Sequence, residues 1–255
     1  MDKKIIFITG ATAGFGKAIA LKFAQHQYNI IINGRREERL RDLENEIKTN
    51  FGVDVFSLPF DVRDKAGVEN AVKSLPHAWK EIDILVNNAG LALGLGLIQD
   101  GDVEDWEVMI DTNIKGLLYV SKAIFPLMIP RKKGHIINIG SLAGKEAYLK
   151  GNIYCATKFA VDALSKSMRI DLLEHRIKVT SINPGAAETE FSIVRLKGNV
   201  ERAKSVYNGY HPLQADDIAE AVYFASSRPE HVVINEMLIT PLAQANTSHL
   251  IRNTQ

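Results

Sequence analysis

IIFITGATAGFG, residues Ile5 to Gly16, sets the fold. Four apolar residues, three of them β-branched, read as a short buried strand. The strand runs straight into Thr9, Gly10, Ala11, Thr12, Ala13, Gly14, Phe15 and Gly16, and sequence of helical period follows. Glycines let the backbone turn tightly and approach a phosphate, while the first turn of the helix offers free N–H groups and a positive dipole. The spacing is Gly-x-x-x-Gly-x-Gly rather than G-x-G-x-x-G. Such a turn can serve merely as a tight connection. Its place between a strand and a helix favours a nucleotide cradle.

Working outward, short β-branched runs recur at Ile5–Thr9, Ile30–Asn33, Val53–Leu58, Ile82–Val86, His135–Ile139, Val179–Asn183 and Val233–Ile239, separated by helix-period stretches. Near-continuous apolar strands alternating with helices predict an α/β fold: a doubly wound, Rossmann-like parallel sheet of about seven strands with helices on both faces. No linker or repeat interrupts the pattern, so residues 1–255 are expected to form a single dinucleotide-binding domain.

Composition narrows the function. Apolar residues make up 46% and charged ones 24%, ordinary for a globular protein, and the net charge of +1 gives no field to recruit nucleic acid or a membrane. Cys155 is the single cysteine, which excludes a disulfide within the chain and suits a reducing compartment. Read as a nucleophile it lacks a histidine at a recognisable spacing, so a small packed residue is the better reading. The seven histidines are scattered, and no metal site is expected. Ile5 to Ile8 is too short for a signal-peptide core, and no run approaches the roughly 20 residues of a membrane span. A cytoplasmic protein is expected.

Several polar motifs follow strand ends, on the sheet edge where ligands bind in such folds. The second strand ends in Gly34-Arg35-Arg36. An acid there would suit the free ribose of NAD, whereas arginine suits a 2′-phosphate. Both arginines also precede a predicted helix 37–49, whose positive dipole end disfavours cations, so something anionic should compensate them and NADP is favoured. Asp61-Val62 follows the third strand, and Asn87-Asn88-Ala89-Gly90 follows the fourth, where turn chemistry and ligand binding are both open. Asn113 reads as the cap of an amphipathic helix. Pro184-Gly185 follows the sixth strand and leads into residues 186–212, an expected substrate lid containing Thr189 and Arg195.

The remaining stretch, Ser141 to Lys158, holds a serine and a Tyr-x-x-x-Lys pair, Tyr154 and Lys158. The i, i+4 spacing puts phenol and ammonium on one helical face. A cation about 5 Å away, at an effective dielectric of about 20, favours the phenolate by about 3 kcal/mol, or about two pKa units before desolvation takes some back. Tyr154 is then expected to titrate low enough for proton transfer near neutrality. Alone, the pair also recurs on solvated helices.

Together, TGATAGFG, NNAG, Asn113, Ser141, Tyr154-x-x-x-Lys158 and Pro184-Gly185 resemble the short-chain dehydrogenase/reductase family in order and spacing, from residue 5 to about 240. The resemblance implies that Tyr154 carries the proton, Lys158 lowers its pKa and binds the nicotinamide ribose, Ser141 holds the substrate oxygen, and Asn113 supports a water relay. It implies cofactor contacts from the glycine-rich turn, from Asp61 and Val62 to adenine, from Asn88, Ala89 and Gly90 to ribose, and from Pro184, Gly185 and Thr189 near the nicotinamide. DILVNNAGLALG, HIINIGSLAG, TEFSIVRLKGN and TPLAQA are similar, more closely, to NADP-dependent 3-hydroxy acid dehydrogenases of the serine and allo-threonine type, some of which reduce malonic semialdehyde.

That likeness implies a carboxylate in the substrate, and Arg195 is the candidate anchor, with Lys150 a weaker one; a solvated surface arginine is the competing reading. A broad carbonyl or 3-oxoacyl reductase would share every catalytic residue, and a non-catalytic NADP sensor would need none of them. Ala156, Ala160, Ala163, Leu164 and Ser167 form one helical stripe suited to close packing, against the chain's own sheet or, as the family implies, in a homotetramer.

Overall fold

Every residue of the first strand, β1 (Ile5–Ile8), is buried, because side chains alternate between two covered faces. Ile6 and Ile8 enter one core and Ile5 and Phe7 the other. The computed structural model describes residues 3–253; Met1, Asp2 and the last two residues of the expected 1–255 unit lie outside the described residues.

After β1 come α1 (Gly14–Gln25), β2 (Asn29–Gly34), α2 (Glu37–Phe51), β3 (Val55–Pro59), α3 (Lys65–Lys73) and β4 (Ile82–Asn87). The second half adds α4 (Val103–Ile110), α5 (Leu117–Met128), β5 (Gly134–Ile139), α6 (Asn152–Asp171), β6 (Ile177–Pro184), α7 (Phe191–Arg195), α8 (Val200–Ser205), α9 (Ala215–Ser226) and β7 (Glu236–Ile239). The seven strands form one sheet in the order β3-β2-β1-β4-β5-β6-β7, parallel throughout. Helices α1, α2 and α9 bury Ile19, Phe23, Leu40 and Val222 on one face, and α3, α5 and α6 bury Val68, Ile124 and Val161 on the other. Each large apolar side chain so enclosed contributes about 1.5–3 kcal/mol. Phe7→Ala would cost about 3–5 kcal/mol through the cavity it leaves.

The order reverses at β1, which pairs with β2 on one side and β4 on the other. The crevice beyond the carboxyl ends of these strands is where such sheets accept ligands. A buried polar net braces the neighbouring strands: Asn87 Nδ2 donates to Ser121 Oγ and Asn138 Oδ1, both at 2.9 Å, and Asn138 Nδ2 donates to Ser165 Oγ at 2.9 Å. Paired amide N–H groups of this kind fix strand and helix positions, since one lost acceptor strands its donor in a dry interior.

Two expectations are corrected. Residues 233–235 are not strand; β7 pairs with β6 only from Glu236 onward, while Asn235 O accepts from Ser181 N and from the Arg169 guanidinium. Asn113 is not a helix cap but lies inside a π-helical turn, Asp111–Gly116, that joins α4 to α5 without a break. A cap needs an exposed helix end, whereas Asn113 is 2% exposed and its amide is claimed by residues across the core.

Candidate active site

The glycine-rich turn is built as its residue types require. Gly10 and Gly14 have φ of 66° and 51°, in the left-handed region that side chains avoid. At Gly16 an added Cβ would lie 2.4 Å from Gly10 O, so no larger residue permits this approach. Thr9 and Asn88 tie the ends of β1 and β4 together: Thr9 Oγ1 accepts from Asn88 N and Ala89 N, each at 3.0 Å, and Asn88 Nδ2 donates to Thr9 O at 2.8 Å. The Asn-Asn-Ala-Gly segment therefore supports the turn from beneath.

Tyr154 and Lys158 lie in the first two turns of α6, both buried. Lys158 Nζ donates to Ile139 O at 2.9 Å and stands 5.9 Å from the centre of the Tyr154 ring. Ser141 follows β5 and caps the short turn Leu142–Gly144, its Oγ accepting from Ala143 N at 3.0 Å. Asn113 accepts from Leu91 N and donates to Leu91 O, each at 2.8 Å, and donates to Thr157 Oγ1 at 3.0 Å. A Cβ placed on Gly90 would come within 3.2 Å of Asn113 Oδ1 and 3.6 Å of Lys158 Nζ, so these groups converge on one point.

The electrostatics overturn one expectation. Burial raises the Tyr154 phenol above its ordinary value, although the Ser141 hydroxyl and the Arg195 charge pull it down. The expected lowering by Lys158 let desolvation take back only part of the gain. In this interior the cost of desolvating a phenolate is larger than the attraction, and burial also depresses Lys158 itself, to about 8.

Both groups face a cleft of about 480 Å³ that runs from the glycine-rich turn to the segment after β6. Gly10, Thr12, Ala13, Gly14 and Phe15 line one end, and Asn88, Ala89 and Gly90 the floor. Ser141, Tyr154 and Lys158 line the middle, with Pro184, Gly185 and Thr189 opposite. Six expected site residues do not line it. Ala11 is fully buried, Gly16 packs against Gly10, and Asn113 lies beneath Gly90. Val62 packs on Gly116, and Asp61 forms an ion pair with Arg63 at 2.6 Å. Arg35 points toward Asp61, 3.8 Å away, so of the two arginines only Arg36 reaches the cleft.

Arg195 is no solvated surface residue. It is half-buried, donates from Nη1 to the Tyr148 hydroxyl at 2.7 Å, and its guanidinium carbon lies 5.4 Å from the centres of both the Tyr148 and Tyr154 rings. Lys150 is exposed and lies outside the cleft.

A family model for short chain dehydrogenases matches residues 4–198. The chain belongs to this family. It is 47% identical over 242 residues to the NADP-dependent 3-hydroxy acid dehydrogenase YdfG of Salmonella typhi, covering 94% of this chain and 96% of that one. It is 38% identical over 253 residues to the NADP-dependent 3-hydroxy acid dehydrogenase of Schizosaccharomyces pombe, covering 99% and 98%. Among solved structures, a closed form of serine dehydrogenase complexed with NADP+ superposes with a TM-score of 0.91 at 45% identity, covering 98% of this chain and all of that one.

This short-chain dehydrogenase also places in its cleft residues to which sequence reading gave no role of their own. Tyr148 stands beside Arg195, Phe191 packs at 5.5 Å on Tyr154, and Gln244 Oε1 accepts from Ala186 N at 2.8 Å. Tyr148 lies between the serine and the tyrosine of the motif, a position that could have flagged it. Gln244 arrives from the far end of the chain, within the TPLAQA stretch whose resemblance marks it without assigning it a contact. No helix among the described residues is long and apolar enough to cross a membrane, and no cluster there could hold a metal ion.

Proposed function

We propose that this short-chain dehydrogenase transfers hydride between NADP and the carbinol carbon of a small 3-hydroxy acid, of the serine, allo-threonine and 3-hydroxypropionate/malonic semialdehyde class. One observation carries the substrate class: the half-buried Arg195 guanidinium shares the cleft with Tyr154 and Ser141, 5.4 Å from the Tyr154 ring. A partly buried cation calls for an anion, and its planar fork suits a carboxylate. The relatives named above act on 3-hydroxy acids, which agrees.

The cleft fits NADP. Gly10 and Gly14 open the backbone for a pyrophosphate at the α1 N-terminus, and Arg36, held by Thr12 Oγ1 at 2.8 Å, offers a guanidinium to a 2′-phosphate. When bound, the nicotinamide supplies hydride transfer. The remaining chemistry falls to the chain. Ser141 donates to the substrate oxygen, and Tyr154 exchanges its proton with that oxygen, giving it up when a carbonyl is reduced and taking it when an alcohol is oxidised. Lys158 holds the ribose and Asn113 braces the floor through Leu91 and Thr157. A phenol that keeps its proton is ready to donate it, while Ser141 and Arg195 ease its ionisation in the other direction.

The proposal extends to one domain over residues 1–255, with 186–212 as a substrate lid, and to a cytoplasmic homotetramer. Ala156, Ala163 and Ser167 face outward on α6, flanked by Phe159, 43% exposed, and Ile170, 76% exposed, an apolar face suited to a second copy. Assay of NADP reduction with 3-hydroxy acids and with neutral secondary alcohols of similar size tests the function. Turnover confined to the acids is expected; equal turnover of both would favour a broad carbonyl reductase.

A further inference from the structure

The segment after β6 reaches back across the cleft to the opposite half of the sheet. Glu190, which precedes α7, sets its two oxygens on two arginines. Oε2 accepts from Arg36 Nη1 at 3.1 Å, and Oε1 accepts from Arg39 Nη1 at 2.7 Å. Arg36 donates in turn to Thr12 Oγ1 of the glycine-rich turn, at 2.8 and 3.3 Å. Thr189, the preceding residue, rests on Gly14, where an added Cβ would lie 3.3 Å from Thr189 Cβ.

Two arginines, a hydroxyl and a carboxylate thus close one cluster at the cleft mouth, and only the carboxylate comes from the lid. Its single charge neutralises one of the two guanidinium groups. A phosphate dianion would neutralise both, and it cannot share them with Glu190 without setting like charges side by side. Glu190 is also joined to the substrate end of the lid, since its carbonyl accepts from Val194 N at 3.0 Å, one residue before Arg195.

We propose that Glu190 is a built-in competitor for the ribose 2′-phosphate: it holds Arg36 and Arg39 in place for a phosphate, Arg39 is a second phosphate ligand, and the phosphate displaces Glu190 and so frees the lid segment to reseat over the substrate. This rests on the NADP reading above. It makes cofactor choice and lid position one event, and it assigns a role to Arg39, which lies a turn beyond the two arginines the sequence brings to notice.

The test uses the full chain and two nucleotides that lack the nicotinamide, 2′,5′-ADP and 5′-AMP, with calorimetry for affinity and amide exchange for the lid. The wild-type chain should bind 2′,5′-ADP about tenfold or more tightly than 5′-AMP, and only 2′,5′-ADP should speed exchange over residues 187–198. Glu190→Gln, an isosteric change at a half-exposed site, should tighten 2′,5′-ADP by about threefold to fivefold, the range open to exposed ion pairs, and leave 5′-AMP unchanged. Its lid should exchange fast without ligand. Arg39→Met should weaken 2′,5′-ADP by about the same factor and spare 5′-AMP. Equal affinity of the wild-type chain for both nucleotides would remove the NADP reading and this proposal with it. A wild-type preference for 2′,5′-ADP, with affinity and exchange unmoved in Glu190→Gln, would leave NADP standing and refute the role of Glu190. Unchanged affinity in Arg39→Met would take Arg39 out of the site.

Discussion

Replacing Arg195 by methionine keeps the length and the apolar stem of the side chain and deletes its charge. In the structure that charge is held by Tyr148 OH at 2.7 Å, and the Arg195 backbone is tied to the opposite wall, where Gly94 N donates to Arg195 O at 3.0 Å. Lid attachment through the backbone therefore survives the change. A carboxylate about 4 Å from the guanidinium at an effective dielectric of about 20 gains about 4 kcal/mol, of which desolvation returns a part; hydrogen bonds to charged groups retain about 1.5–3 kcal/mol net. The expected loss in kcat/KM on serine or 3-hydroxypropionate is thus about 10- to 150-fold. A neutral secondary alcohol of similar size should lose less than about threefold, since no charged contact is removed. Steady-state NADP reduction on both substrates decides the matter. Equal losses would mean that Arg195 shapes the lid rather than reads the substrate, and no loss on either would refute the assignment outright.

Tyr154→Phe removes one oxygen from a buried ring and should leave a folded, NADP-binding protein with activity reduced by about 10²-fold or more, in a turnover assay paired with calorimetry of cofactor binding. Arg36→Gln should raise the KM for NADP by about tenfold and spare NAD, whereas Arg35→Gln, whose guanidinium turns to Asp61, should do less; the reverse ranking would contradict the geometry. His135 is buried against Thr180 Oγ1 at 2.7 Å, and burial, then Lys178, pulls its pKa down to about 3. The unfolded chain binds this proton from pH about 6.5 downward and the folded chain does not, so stability is full above that pH and falls below it, by about 2 kcal/mol at pH 5 and about 4 kcal/mol at pH 3. Urea titrations across this range should show the slope in the wild-type chain and a flatter one in His135→Gln; identical slopes would clear His135 of the acid sensitivity.

The strands were legible because a parallel strand covered on both faces must be apolar along its whole length, as Ile5–Ile8 and Ile30–Ile32 are. The run from Val233 failed that rule in part: its β-branched residues suit a strand, but pairing partners on β6 exist only from Glu236. Within the cleft, residues placed by strand ends could be found from sequence, among them Ser141, Asn88 and Pro184. Glu190, Arg39 and Gln244 are placed by contacts between distant segments: Glu190 and Gln244 lie in TEFSIVRLKGN and TPLAQA, which the resemblance marks, but no local pattern encodes what they touch. The direction of the Tyr154 shift was hidden for a related reason. Spacing along a helix reveals which charges are near, but the depth of burial that decides between attraction and desolvation belongs to the assembled core.

The π-helical turn at Asp111–Gly116 has a consequence for how this cleft can vary. Such a turn holds one residue more than an α-helical path between the same ends, so the extra residue is absorbed as a bulge while α4 and α5 keep the phase of one continuous rod. Deleting one residue there would restore a regular helix and leave both flanks facing as they do now. Met109, whose Sδ accepts from Leu93 N at 3.4 Å, and Trp106 would stay packed with Tyr154, and Val120 and Ile124 of α5 would stay seated in the sheet core. What a straight rod has no place for is the bulged backbone that carries Asn113 beneath Gly90 and Leu91. A single-codon deletion would therefore remove the brace under the cleft floor and little else, leaving the α1 cradle and the sheet core as they are.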